Sequence, residues 1–360
     1  MESRSAVCRF ASSYSPRRFA SSAYWVRWRR GWWEPARTPD VSGLFGDIRA
    51  ACAEVARRAR FVAIEHARLE ELAFELAAAA GKPVPLDPAQ HRLAGEAATL
   101  AFVITLDAVN FGSGWFPHLR KRAGRSGYFT IAGGLRECFE REGPLSANRL
   151  ASASPAECAE IFGQDPSIPE VGELMTHFAH AWRDLGELLL ETYAGDFAAL
   201  VSAADGSAES LVEVLTAMPL YRDVARYDDL VVPFYKRSQI TATDLAAAVE
   251  GSAPGAFRDL DDLTIFADNL VPHVLRVEGV LRYDAELLAR IEVGTLIEPG
   301  SREEVEMRAC ALHAVEEMCA ALRRSGRAAS AQRLDHVLWS RGQSAGMKAV
   351  PRHRTRCVFY

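Results

Sequence analysis

The sequence predicts one large, mainly α domain. Apolar residues recur every three to four positions over long stretches, the spacing of one helix face. Two capping boxes, Ser154-Pro155-Ala156-Glu157 and Ser301-Arg302-Glu303-Glu304, mark helix starts. No sustained apolar–polar alternation suggests a large sheet, so any β element is minor. With 360 residues and 49% hydrophobic content, the chain can bury a full core.

Residues 1–40 stand apart. They carry Arg4, Arg9, Arg17, Arg18, Arg27, Arg29 and Arg30 and, before Glu34, the single acid Glu2, which is not core-forming composition. They read either as a disordered or non-native N-terminal extension or as an Arg/Ser-rich targeting segment, although Trp25, Trp28, Trp32 and Trp33 are unusual in the latter. The domain itself is expected to span residues 41–360.

Within it, Ser42 can cap a helix running to about residue 80, with Leu44, Ile48, Cys52, Val55 and Ala59 on one face. Gly81 ends it, and Pro83, Pro85 and Pro88 forbid continuation. Residues 92–108 form a helix too apolar all round for the surface. After a Gly-rich turn at 110–117, residues 128–131 are the best candidate for a short strand. Helices then fit from Ser154, over 169–193, 207–218, 239–249, 263–278 and 284–291, and from Ser301 onward.

Composition excludes several functions. A formal net charge of −5 argues against electrostatic capture of duplex DNA, leaving room only for a small polyanion site. The longest apolar windows, 98–109 and 71–80, are interrupted by Thr105, Asp107 and Glu75 and are too short to span a membrane. Seven scattered cysteines with no CxxC pair suggest neither a disulfide framework nor a zinc site, and a reducing cytoplasmic setting fits them. Without a Walker loop, GxGxxG, HExxH or GxSxG, no cofactor or metal is expected.

Four stretches are odd for a helical core. In Asn110-Phe111-Gly112-Ser113-Gly114-Trp115, glycines allow close backbone approach and aromatics suit a planar base, or the rings simply plug the core. Tyr235-Lys236-Arg237 places cations at a helix start, where an anion is favoured, although a Lys-Arg pair is also an ordinary solvated surface. Asp268, among Ile265, Phe266, Ala267, Leu270 and Val271, is either a functional carboxylate or a cap before Pro272. The last stretch, residues 351–360, is a basic run with Arg352, Arg354 and Arg356 that reads either as a nucleic-acid contact or, from its apolar-aromatic end, as a segment suited to docking.

In order and spacing, these segments resemble the queuosine salvage family of queuosine 5′-phosphate N-glycosylases. The match rests on Asn110-Phe111 with Trp115, Tyr235 to Ile240, Thr264 to Asp268 with Pro272, Val280 to Tyr283, Arg302 to Arg308, Leu338-Trp339 and Pro351 to Tyr360. The resemblance implies a helix-hairpin-helix DNA-glycosylase-like core and hydrolysis of queuosine 5′-monophosphate to free queuine. Lys236 and Asp268 fall on the two positions that flank the nucleoside. Asp268 would stabilise positive charge at C1′, Lys236 and Tyr235 would hold the phosphate, Phe111 and Trp115 would stack the base, and Asn110 or Ser113 would read its edge. A nucleotide-sized substrate and a monomer are expected. Competing readings are a non-catalytic binder of a modified nucleotide or tRNA, and a base-repair glycosylase.

Overall fold

A computed structural model describes residues 43–82 and 92–360. The expectations for residues 1–40, for the Ser42 cap and for Pro83, Pro85 and Pro88 lie outside the described residues. These described residues pack as one compact unit.

The fold is mainly α. In chain order the helices of at least five residues are α1 (Gly43–Arg58), α2 (His66–Ala80), α3 (Glu96–Asp107), α4 (Gly127–Glu142), α5 (Ala147–Ala151), α6 (Pro155–Phe162), α7 (Pro169–Thr192), α8 (Phe197–Ser202), α9 (Ala208–Leu215), α10 (Lys236–Ala248), α11 (Leu270–Val277), α12 (Ala285–Glu292), α13 (Arg302–Arg324), α14 (Ala331–Gly342) and α15 (Ala345–Ala349). Both capping boxes act at their N-termini: Ser154 Oγ accepts from Glu157 N at 3.1 Å, and Ser301 Oγ from Glu304 N at 3.3 Å. Two antiparallel two-stranded ribbons complete the described residues, β1 (Val62–Ile64) with β4 (Leu281–Tyr283), and β2 (Val224–Tyr227) with β3 (Leu230–Pro233).

Three expectations are corrected. The single helix to residue 80 is broken between α1 and α2, because the buried Glu306 carboxylate accepts from Arg60 N, Phe61 N and Val62 N at 2.9, 2.7 and 3.2 Å. A carboxylate from distant sequence takes the amides that would have continued the helix and turns the chain into β1. Residues 128–131 are helical, inside α4, where Ser126 caps the first turn and outweighs a short β-prone run. The helix expected over 263–278 begins only at Leu270, because side chains from other elements hold the amides of Thr264 and Phe266 in an extended segment.

At the centre lies α13, buried along most of its length and packed against α1, α2, α11, α14 and β1. Its interior carries charge as well as apolar bulk: Glu304, Glu306 and Arg308 are all buried. The apolar α3 is buried over Thr99 to Asp107 and packs on α10, with Trp182 of α7 donating through Nε1 to Thr105 O at 3.0 Å. These contacts bring the start of α10, the end of α3 and the segment before α11 together.

Candidate active site around Lys236 and Asp268

The start of α10 is built by a residue thirteen positions upstream. Tyr235, preceding the helix, adopts the left-handed conformation at φ +47°, which is strained for a non-glycine residue, and makes no side-chain cap bond. Asp223 caps instead: its carboxylate accepts from Lys236 N at 3.2 Å, and its carbonyl accepts from Phe234 N at 2.8 Å and Tyr235 N at 3.3 Å. Arg308 grips that carboxylate with both terminal nitrogens at 3.0 and 2.6 Å, its guanidinium lying over the Phe234 and Tyr360 rings. A bidentate, buried pair of this kind fixes direction as well as charge.

Held this way, Lys236 enters the interior. It is 5% exposed, and its Nζ donates to Asn110 O at 3.3 Å. Burial pushes the ammonium below its usual range, while Asp268, Asp107 and Asp335 pull it back up.

Asp268 sits on the extended segment that three side chains hold from different sides. Gln239 of α10 accepts from Thr264 N at 2.9 Å through Oε1 and donates from Nε2 to Phe234 O and Thr264 Oγ1. Arg308 Nε donates to Ala267 O at 2.8 Å, and Asp335 of α14 accepts from Phe266 N at 2.9 Å. At the end of this segment, Asp268 Oδ1 accepts from Leu270 N and Val271 N at 2.7 and 3.2 Å. Asp268 therefore is the cap of α11, as one of the two readings had it, but only one oxygen is used. Its Oδ2 has no hydrogen-bond partner among the described residues, and no ion pair joins it to Lys236. A carboxylate with one oxygen anchored and one free can face a developing cation without moving.

Further carboxylates surround the lysine. Asp335 is buried, and burial with Asp268 nearby pushes its carboxyl up to about 8. Burial also raises Asp244 to about 7, with Lys236 opposing. Asp107 closes α3, accepting from Asn110 Nδ2 at 3.3 Å, and Tyr128 lies in the field of Asp244 and Asp107.

The other expected site residues are not all brought here. Phe111 is 2% exposed, edge-on to Phe178 at 5.1 Å and covered by the Arg237 guanidinium at 4.6 Å. Trp115, equally buried, donates through Nε1 to Glu173 at 2.7 Å and packs beside His177. Neither ring offers a face to a base in this conformation, so the core-plug alternative describes both. The glycines serve packing: Gly112 has φ +95°, and a Cβ on Gly114 would lie 2.2 Å from Thr355 O. The Tyr235 hydroxyl lies in the field of Asp223, Arg222 and Asp47, a different set from that around Lys236. Asn110 adjoins Lys236, and Ser113 Oγ is buried without a hydrogen-bond partner. Arg237, far from being a solvated surface cation, is sealed between Phe111 and Tyr221 and donates to the carbonyls of Ala108, Leu220 and Val358.

Sequence reasoning missed Asp223, Asp244 and Asp335 as parts of this centre. Asp335 carried a faint signal, a carboxylate beside Leu334 in the apolar stripe of α14. Asp223 carried none.

Fold and site together define a mainly α protein whose polar interior is organised around a buried lysine and a half-free carboxylate. The chain belongs to the queuosine salvage protein family, whose model matches residues 90–360. It is 39% identical over 311 residues to the queuosine 5′-phosphate N-glycosylase/hydrolase of Sphaerobacter thermophilus, covering 85% of this chain and 95% of that protein. The mouse protein of the same name is 31% identical over 327 residues, 85% of this chain and 96% of its own length. That of Dictyostelium discoideum is 31% identical over 73% of this chain and 78% of its own. Among the described residues no helix is long and apolar enough to cross a membrane.

Proposed function

We propose that this chain is an N-glycosidase that hydrolyses queuosine 5′-monophosphate, with Asp268 as the carboxylate at C1′. The C1′–N bond breaks with its electron pair going to the 7-deazaguanine base. Water supplies hydroxide to C1′ and a proton to the departing base, giving ribose 5-phosphate and queuine. The transition state resembles an oxocarbenium ion, so the free Asp268 Oδ2 stabilises positive charge on the sugar and orients the attacking water. A 7-deaza base lacks the ring nitrogen at which a purine is readily protonated, which puts more of the work on the sugar side.

Lys236 takes the ribose phosphate half of the nucleotide, since its buried ammonium lies in the field of Asp268. Asn110 and Ser113 read the polar edge of the base from the turn after α3. The acidic surroundings of Lys236 disfavour a duplex backbone, and the substrate is a free nucleotide. A helix-hairpin-helix-like core and a cytoplasmic monomer are part of the same reading.

The observation that carries this proposal is the juxtaposition of Lys236 with an Asp268 that keeps one oxygen unbonded. Incubation with queuosine 5′-monophosphate, followed by chromatography for free queuine, tests it. Tight binding without release would make the chain a binder, and release only from DNA would make it a repair glycosylase.

A further inference from the structure

A phosphate dianion needs more than Lys236 provides, because Asp268 and Asp107 already share the field of that ammonium. The neighbouring guanidinium groups are committed elsewhere, Arg237 to three carbonyls and Arg308 to Asp223 and Ala267. A further cation arrives on the segment after α15.

This C-terminal segment is threaded through the fold. Pro351 O accepts from Arg276 of α11 at 2.6 Å, and Arg354 O accepts from Ile297 N at 2.8 Å. Thr355 passes under Gly114, and Tyr360 O accepts from Gly112 N at 2.9 Å. The segment thus runs from α11, the helix that Asp268 caps, to the turn after α3 whose Asn110 carbonyl receives Lys236. Arg352 lies on this path. It is half-buried, its neighbours in charge are Asp268 and the two buried histidines His273 and His353, and it makes no hydrogen bond or ion pair to any described residue. Both histidines are held neutral by burial, His273 pushed down to about 4 and His353 to about 3, so neither draws an incoming anion away from Arg352. Arg276 adds positive charge on the same side.

We propose that Arg352 binds the 5′-phosphate of the substrate, its unoccupied planar fork donating to two phosphate oxygens. This rests on the functional reading above and adds a residue that the C-terminal segment must deliver. The docked segment is then a wall of the binding site.

The test compares the wild type with Arg352→Gln and Arg352→Lys in two measurements. The first is kcat/KM on queuosine 5′-monophosphate and on the unphosphorylated nucleoside. The second is calorimetric binding of ribose 5-phosphate against ribose. Arg352→Gln should lower the phosphate preference, and the affinity for ribose 5-phosphate, by at least about tenfold, with Arg352→Lys recovering part of both. Equal losses on both substrates overturn the proposal, as does a wild type that binds ribose 5-phosphate no better than ribose. A wild type that binds ribose 5-phosphate through Arg352 yet releases no queuine would overturn the hydrolase reading alone. If Arg352→Gln does not fold, the Arg352→Lys variant decides, since it keeps the charge and loses the fork.

Discussion

Replacing Asp335 by Asn should make the folded chain more resistant to alkali. The Asp335 carboxyl is 4% exposed, and burial, reinforced by Asp268, pushes it up to about 8, while the Phe266 amide and Lys236 oppose the rise. An unfolded Asp loses its proton near pH 4. Between about pH 4 and 8 the folded state therefore holds a proton that the unfolded state has released, and stability falls as pH rises through that window. The stabilisation relative to an ionised carboxylate is complete below the window and gone above it. Each pH unit inside it removes up to about 1.4 kcal/mol, so the ceiling is about 5 kcal/mol by pH 9. Relaxation and water entry reduce such penalties, and about 2 kcal/mol or more is the expected difference. Asn cannot ionise, yet its carbonyl can still accept from Phe266 N. Urea unfolding of both proteins at pH 5, 7 and 9 should show similar stability at pH 5 and a widening advantage for Asp335→Asn above it. Parallel profiles across the range would refute the reasoning, because they would mean that Asp335 ionises in the fold as it does in the open chain.

Three further outcomes are expected. Asp268→Asn should lower kcat at least about 100-fold while the chain still folds, since the amide carbonyl can replace Oδ1 as acceptor for Leu270 N and Val271 N but brings no negative charge to C1′; steady-state turnover with a thermal melt checks both halves. Asp223→Ala should cost about 3–5 kcal/mol in chemical denaturation, because it removes the bidentate partner of the buried Arg308, leaving only Glu304 at 3.5 Å to balance its charge, and uncaps α10 as well. Gly114→Ala should displace the C-terminal segment, since its Cβ would overlap Thr355 O, costing about 1–3 kcal/mol and most of the activity; a variant with unchanged Tm and turnover would show that the segment is not needed.

Much of the helical order could be read from periodicity and caps, because Ser154 and Ser301 act within four residues of their own position. What escaped the sequence is what long-range groups impose. Nothing near residue 60 announces that Glu306 will seize three amides there, and nothing near residue 264 announces Gln239. The lysine and the carboxylate were legible through family resemblance joined to local oddity, a cation at a helix start and an acid in an apolar run. For Phe111 and Trp115 base stacking and core plugging both stay open in the sequence, because composition cannot tell a ring that lines a cavity from one that fills it. Arg352 was one cation in a basic run, and only the path of the docked segment separates it from Arg354 and Arg356, which reach Gly114 O and the carboxylates of Glu170 and Glu173.

The buried thiols have a practical consequence. Cys52, Cys138, Cys158, Cys310, Cys319 and Cys357 are free and buried, and burial pushes every one of them above the ordinary thiol range. None presents a thiolate to a reagent while its surroundings stay closed. Each is therefore a clock that starts only when its own neighbourhood opens. Pulsed alkylation read by peptide mass would time the parting of the C-terminal segment at Cys357 against the opening of the centre at Cys52 and Cys310. The protein thus carries native reporters at both the wall and the heart of its fold, with no label to be introduced.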